Sequence, residues 1–166
     1  MKNIKGKVWK FGNNVNTDVM SPGFSYNMPW EERKKLVLHI HPAFTREAKP
    51  GDIIVAGKNW GCGSAREKAP INLRKIGISC VIAESFGRIY FRNSIALGLP
   101  SIVCPGISNA FQEGNTLELD IENNLVRNLT NGTELKYERI PEPLLTILDT
   151  GGIIPYLSKK IMCDQG

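Results

Sequence analysis

Three short segments, Asp52–Ala56, Ser79–Ala83 and Ser101–Cys104, are apolar at almost every position, and helical stretches separate them. A strand with one wet face alternates polar and apolar residues, whereas a strand covered on both faces does not. Unbroken apolar runs with helices between them therefore predict parallel βαβ units, because parallel neighbours need a long crossover and the crossover helices cover the sheet. One helix is expected between the glycine-rich loop after Ala56 and about Lys75, another from Phe86 to about Leu97, stopped by Gly98 and Pro100. Lys5–Phe11 alternates and reads as a further strand.

The pattern changes after Gly114. Thr116–Ile121, Leu125–Thr130 and Thr133–Ile140 read as an antiparallel meander with turns at Asn123-Asn124 and Asn131-Gly132. Residues 12–50 form one long, turn-rich, partly ordered excursion with a short helix after Pro29. Long excursions in compact domains are often functional. Pro143–Lys160 is helical in pattern but interrupted by Gly151, Gly152 and Pro155. With 166 residues and 42% hydrophobic content there is material for one good core and little for two, so 1–166 is read as a single α/β domain.

Several function classes drop out. No apolar run approaches a bilayer-spanning length, and the first residues, MKNIKGKVWKF, lack the apolar stretch of a secretory signal. A cytoplasmic protein with no membrane partner is the expectation. The net charge of +5 is modest, and basic residues are scattered apart from Arg33–Lys35 and Lys159-Lys160. No nucleic-acid module accompanies them, so nucleic acid is not an expected partner. Cys62, Cys80, Cys104 and Cys163 form no C-x-x-C pair and no Cys/His spacing, so no metal or cluster site is expected within this chain. His39 and His41 are read as structural.

The chemistry concentrates in Gly51–Pro70, GDIIVAGKNWGCGSAREKAP. Gly57, Gly61 and Gly63 allow close backbone approach to a ligand, and a following helix N-terminus would favour an anion. Ser64 and Arg66 would face it. Ser64 with Glu67 is equally a capping box, in which the serine only closes a helix. A helix beginning instead near Ala69 suits Pro70 and leaves Ser64 and Arg66 in the loop. The sequence leaves both open.

Four segments in order, GKVWKFGNNVNTDVMSP, GDIIVAGKNWGCGSAREKAP, AESFGRIYFRNSIALGLP and LDTGGIIPYLSKK, resemble the small-subunit, or swivelling-domain, branch of the aconitase superfamily. Within it the chain is most similar to 3-isopropylmalate dehydratase small subunits, with homoaconitase, citramalate and 2,3-dimethylmalate dehydratases as relatives. The resemblance implies a compact swivelling domain with a parallel βαβ core and an added antiparallel meander. It implies a hydro-lyase that dehydrates and rehydrates a small hydroxy-di- or tricarboxylate, most simply in leucine biosynthesis, and works only with a large subunit. That partner would carry a [4Fe–4S] cluster as Lewis acid, and this chain would bind no cofactor. By resemblance Ser64 is the catalytic base, Arg66 binds a carboxylate, and Gly63, Ala65, Thr17, Asp18 and Ser21 complete the substrate site.

The chain departs from the family pattern in three places. Ala65 replaces a second serine, Lys68 replaces a histidine, and the segment after Pro22 lacks the arginine-tyrosine-leucine type motif that sets substrate choice. Residues 23–44 are accordingly expected to be a flexible, substrate-selecting segment, with Phe24, Tyr26, Met28 and Trp30 available as an apolar wall. A different class of function, an anion- or partner-binding protein without catalysis, is the competing expectation.

Overall fold

The computed structural model describes residues 2–164. Its centre is one seven-stranded sheet: β1 (Ile4–Lys10), β2 (Ile53–Ala56), β3 (Cys80–Ala83), β4 (Ser101–Val103), β5 (Thr116–Asp120), β6 (Leu125–Asn128) and β7 (Glu134–Lys136). The strand order is β4-β3-β2-β1-β5-β6-β7. β1 to β4 pair in parallel, and β1, β5, β6 and β7 pair antiparallel. The strand β1 thus belongs to both halves, with Val8 opposite Ile53 on one edge and Lys5 opposite Glu118 on the other. The parallel core and the meander are both as the sequence pattern implies.

Burial explains the unbroken apolar runs. Every residue of β2 and β3 is buried. Ile54, Ala56, Val81 and Ala83 pack into one core with Trp9, Phe11, Phe44 and Trp60. Ile53, Val55, Cys80 and Ile82 pack into the other with Ile102, Phe111, Leu117 and Leu119. Both faces of β2 and β3 are covered, which is why their sequences, IIVA and CVIA, hold no charged or hydroxyl side chain. In the meander Arg127 ties three carboxylates, contacting Glu118 at 3.2 Å, Asp120 at 2.9 Å and Glu134 at 2.8 Å.

The helices are α1 (Thr17–Met20), α2 (Trp30–Arg33), α3 (Pro42–Glu47), α4 (Lys68–Ile76), α5 (Arg88–Ala96), α6 (Ile107–Ala110), α7 (Glu142–Asp149) and α8 (Ile153–Asp164). The long excursion after β1 is more regular than its composition suggests: α1, α2, α3 and two 3-10 turns follow one another. Each is four to six residues or shorter, too brief to print a period on the sequence. Trp9 anchors the excursion, donating its indole N–H to Asp52 at 2.7 Å and meeting Phe44 edge-on at 5.5 Å. His41 is structural, as read. Its Nδ1 accepts from the Phe44 N–H, capping α3, and its Nε2 meets Glu113 at 2.7 Å.

Candidate active site

The loops that leave β1, β2 and β3 meet at the carboxyl ends of the parallel strands, the usual position for a site in such sheets. Asn16 and Cys62 form an isolated parallel bridge that continues the β1–β2 pairing beyond the strands. Two further bonds stitch the loops. The Thr17 N–H donates to the Cys62 carbonyl at 2.9 Å, and the Thr17 hydroxyl donates to the Ser64 carbonyl at 2.8 Å. Asn16 also caps α1, its Oδ1 accepting from the Asp18 and Val19 N–H groups. A buried Thr17 therefore sets the backbone position of an exposed Ser64.

The helix start is resolved in favour of the second option. α4 begins at Lys68, its N-cap is Glu67, and no side chain caps it. Ser64 is not a cap, and the Ser64–Glu67 capping box is absent. Ser64, Ala65 and Arg66 lie in the loop. Gly61 and Gly63 adopt positive φ, 73° and 93°, on either side of Cys62. At Gly61 a Cβ would also strike the Tyr90 ring, so only glycine serves there.

Arg66 is held from two sides. It pairs with Asp18 through Nη2 and donates from Nη1 to the Tyr26 hydroxyl at 3.3 Å. The Tyr26 hydroxyl first, and then the Asp18 charge, raise its pKa above the ordinary guanidinium value although burial works against the charge. Its Nε has no partner among the described residues. Lys68 lies over the Tyr26 ring, 4.1 Å from its centre, and donates to the Tyr26 carbonyl at 3.4 Å. The lysine that departs from the family pattern thus pins the tyrosine that orients Arg66.

Beside this pair opens a cavity of about 510 Å³, lined by Asp18 and Arg66 and by Val19, Pro22, Phe24 and Leu36, with Gly23 and His39 completing the wall. The wall is mostly apolar, with Phe24 73% exposed at its edge. A second, smaller cleft of about 260 Å³ borders Cys62, Gly63 and Arg88 on the other side of the glycine loop.

Of the site residues read from the sequence, Thr17, Asp18, Gly63, Ser64 and Arg66 come together. Ala65 is exposed in the same loop. Ser21 is fully buried and its hydroxyl has no partner among the described residues. In the 23–44 segment, Phe24 lines the cavity, Tyr26 serves Arg66, and Trp30 stacks under Arg33 and Lys75. His39, read from sequence as structural, stands on the cavity wall. No periodicity or spacing marks it.

Cys62, Cys80 and Cys104 are free thiols, and burial pushes Cys104 up to about 12. The Cys163 side chain lies outside the described residues. Among the described residues no group of three or more His, Cys, Asp or Glu could hold a metal ion, so the donors present do not fit an iron–sulfur cluster. No helix among them is long and apolar enough to cross a membrane.

Residues 9–105 match the aconitase C-terminal domain. The chain is 52% identical to the isopropylmalate/citramalate isomerase small subunit of Methanocaldococcus jannaschii, covering 98% of each chain. It is 43% identical to the 3-isopropylmalate dehydratase small subunit of Aquifex aeolicus, covering 95% of this chain and 96% of that one. A crystal structure of a 3-isopropylmalate dehydratase from M. jannaschii superimposes with a TM-score of 0.90 at 35% identity, covering 99% of this chain and all of the other.

Proposed function

Because this chain belongs to the aconitase C-terminal domain family, we propose that it is the small subunit of a 3-isopropylmalate dehydratase, a hydro-lyase that isomerises a hydroxy-dicarboxylate by removing and readding water. The observation that carries the reading is the meeting of Ser64 and Arg66 with Thr17 and Asp18 beside an apolar-walled cavity. Arg66 offers a planar donor set that suits a carboxylate. Ser64 takes the proton from the carbon next to that carboxylate, its backbone fixed through Thr17. A serine hydroxyl is a weak base, and the positive charge two residues away at Arg66 favours its deprotonated form. Gly63 and Ala65 leave the approach to Ser64 free of bulk, and Ser21 directly precedes Pro22 of the cavity wall.

The apolar wall suits a branched alkyl substituent, since a third carboxylate would be desolvated there without a partner. Residues 23–44 make that selection in this proposal, with Phe24 at the edge and Tyr26 fixing Arg66. The cluster implied by the family resemblance is assigned to the larger partner, and the complex is placed in the cytoplasm.

Ser64→Ala in the complex reconstituted with a large subunit is the test. The expected result is near-complete loss of 3-isopropylmalate turnover, with assembly and melting temperature within error of the wild type. Retained kcat would remove the catalytic role of Ser64. Citramalate, named with isopropylmalate in the M. jannaschii relative, belongs in the same assay.

A further inference from the structure

A dicarboxylate needs two cationic partners in a cavity whose remaining wall is apolar, because an unpaired carboxylate is expensive to desolvate. Arg66 can serve one. Its Nη2 pairs with Asp18 and its Nη1 donates to Tyr26, while its Nε is buried without a partner among the described residues. The only other cavity-lining side chain among the described residues that can carry positive charge is His39. We infer that His39 is the second carboxylate anchor of this site, lining the same apolar-walled cavity as Arg66.

Two further features support the assignment. His39 Nδ1 lies 3.0 Å from the Leu36 carbonyl, which can only accept, so Nδ1 carries a hydrogen. Nε2 is therefore the ring nitrogen left for a ligand, and no side chain among the described residues engages it. The preceding residue, Leu38, is fully buried yet holds a φ of 54°, in the left-handed region that leucine avoids. Its N–H is fixed to the Val19 carbonyl at 2.7 Å. Strain of this kind persists where the surroundings over-determine the backbone, and it concentrates at functional sites. Here it turns the chain between a core residue and a cavity residue, with Val19 itself on the cavity wall.

The inference rests on the hydroxy-dicarboxylate reading above. The charged side chains that line the cavity with His39 are Asp18 on α1 and Arg66 in the loop before α4. In the imidazolium form Nε2 donates to the carboxylate while Nδ1 stays bonded to Leu36.

The test is steady-state kinetics of the reconstituted complex with 3-isopropylmalate, comparing wild type with His39→Ala, His39→Asn and His39→Lys. KM is expected to rise about tenfold in the Ala and Asn variants with kcat within about twofold, the signature of lost binding common to ground and transition states. Lys should restore KM, since it presents a cation from the same position. Melting temperatures confirm folding, and Asn keeps the local bond to Leu36 if Ala does not fold. An active wild type with unchanged KM in His39→Asn overturns this inference alone. A wild-type complex with no turnover overturns the functional reading as well.

Discussion

Arg66 divides its guanidinium between a carboxylate on α1 and a phenol in the 23–44 segment, and this division makes its shape as important as its charge. Lysine carries the charge without the fork. Arg66→Lys is expected to raise KM for 3-isopropylmalate about tenfold or more in the reconstituted complex, while Thr17 still holds the loop and Ser64 stays in place. Unchanged KM would take Arg66 out of the carboxylate site. Ser64 and Arg66 stood out as candidates because glycines, a serine and an arginine in one short loop are unusual together. Whether Ser64 capped a helix was not legible, since the same residues satisfy both readings and only tertiary contact with Thr17 separates them. Tyr26 was legible only as a member of an apolar wall, and His39 was read as structural. Their roles arise from where short, aperiodic turns place them.

At the scale of elements, the strands were legible where burial is complete. β2 and β3 are buried throughout, and their composition has no other use. The excursion between β1 and β2 was not, because helices of one turn have no repeat to read. The meander adds an electrostatic device. Asn123, through its side chain and backbone N–H, and then Arg127 hold the Asp120 carboxyl below the usual carboxylate range, against the opposing effect of burial. Glu84 is also lowered: burial opposes the charge, but the Ser108 hydroxyl and the Ser108 and Gly106 N–H groups outweigh it. A depressed folded pKa gives stability that is present above the unfolded value and is lost as pH falls through the folded one. The melting temperature should therefore drop as pH falls below about 4, and Asp120→Asn should lower it at neutral pH while flattening that acid limb. Circular dichroism melts from neutral pH downward check both. An acid limb as steep in the variant as in the wild type would show that Asp120 does not contribute.

For the molecule as a whole, β1 is the member common to the parallel half and the meander. We expect residues 1–166 to unfold as one unit, with Trp9 and Trp60 fluorescence in the parallel half and amide exchange in the meander reporting the same midpoint. Ile53→Ala, beside β1 in a fully packed core, should lower stability by about 2–5 kcal/mol and shift both probes together. Separate transitions would show two units that share a strand without sharing a fate. The same strand also imposes an order on synthesis. β1 leaves the ribosome before either neighbour exists, since β2 begins at Ile53 and β5 at Thr116. Until then the strand destined for the middle of the sheet is bare on both edges, which is the condition that invites pairing with other chains. The nascent chain is thus vulnerable at β1 until both neighbours arrive, and the completed protein hides that hazard between its two halves.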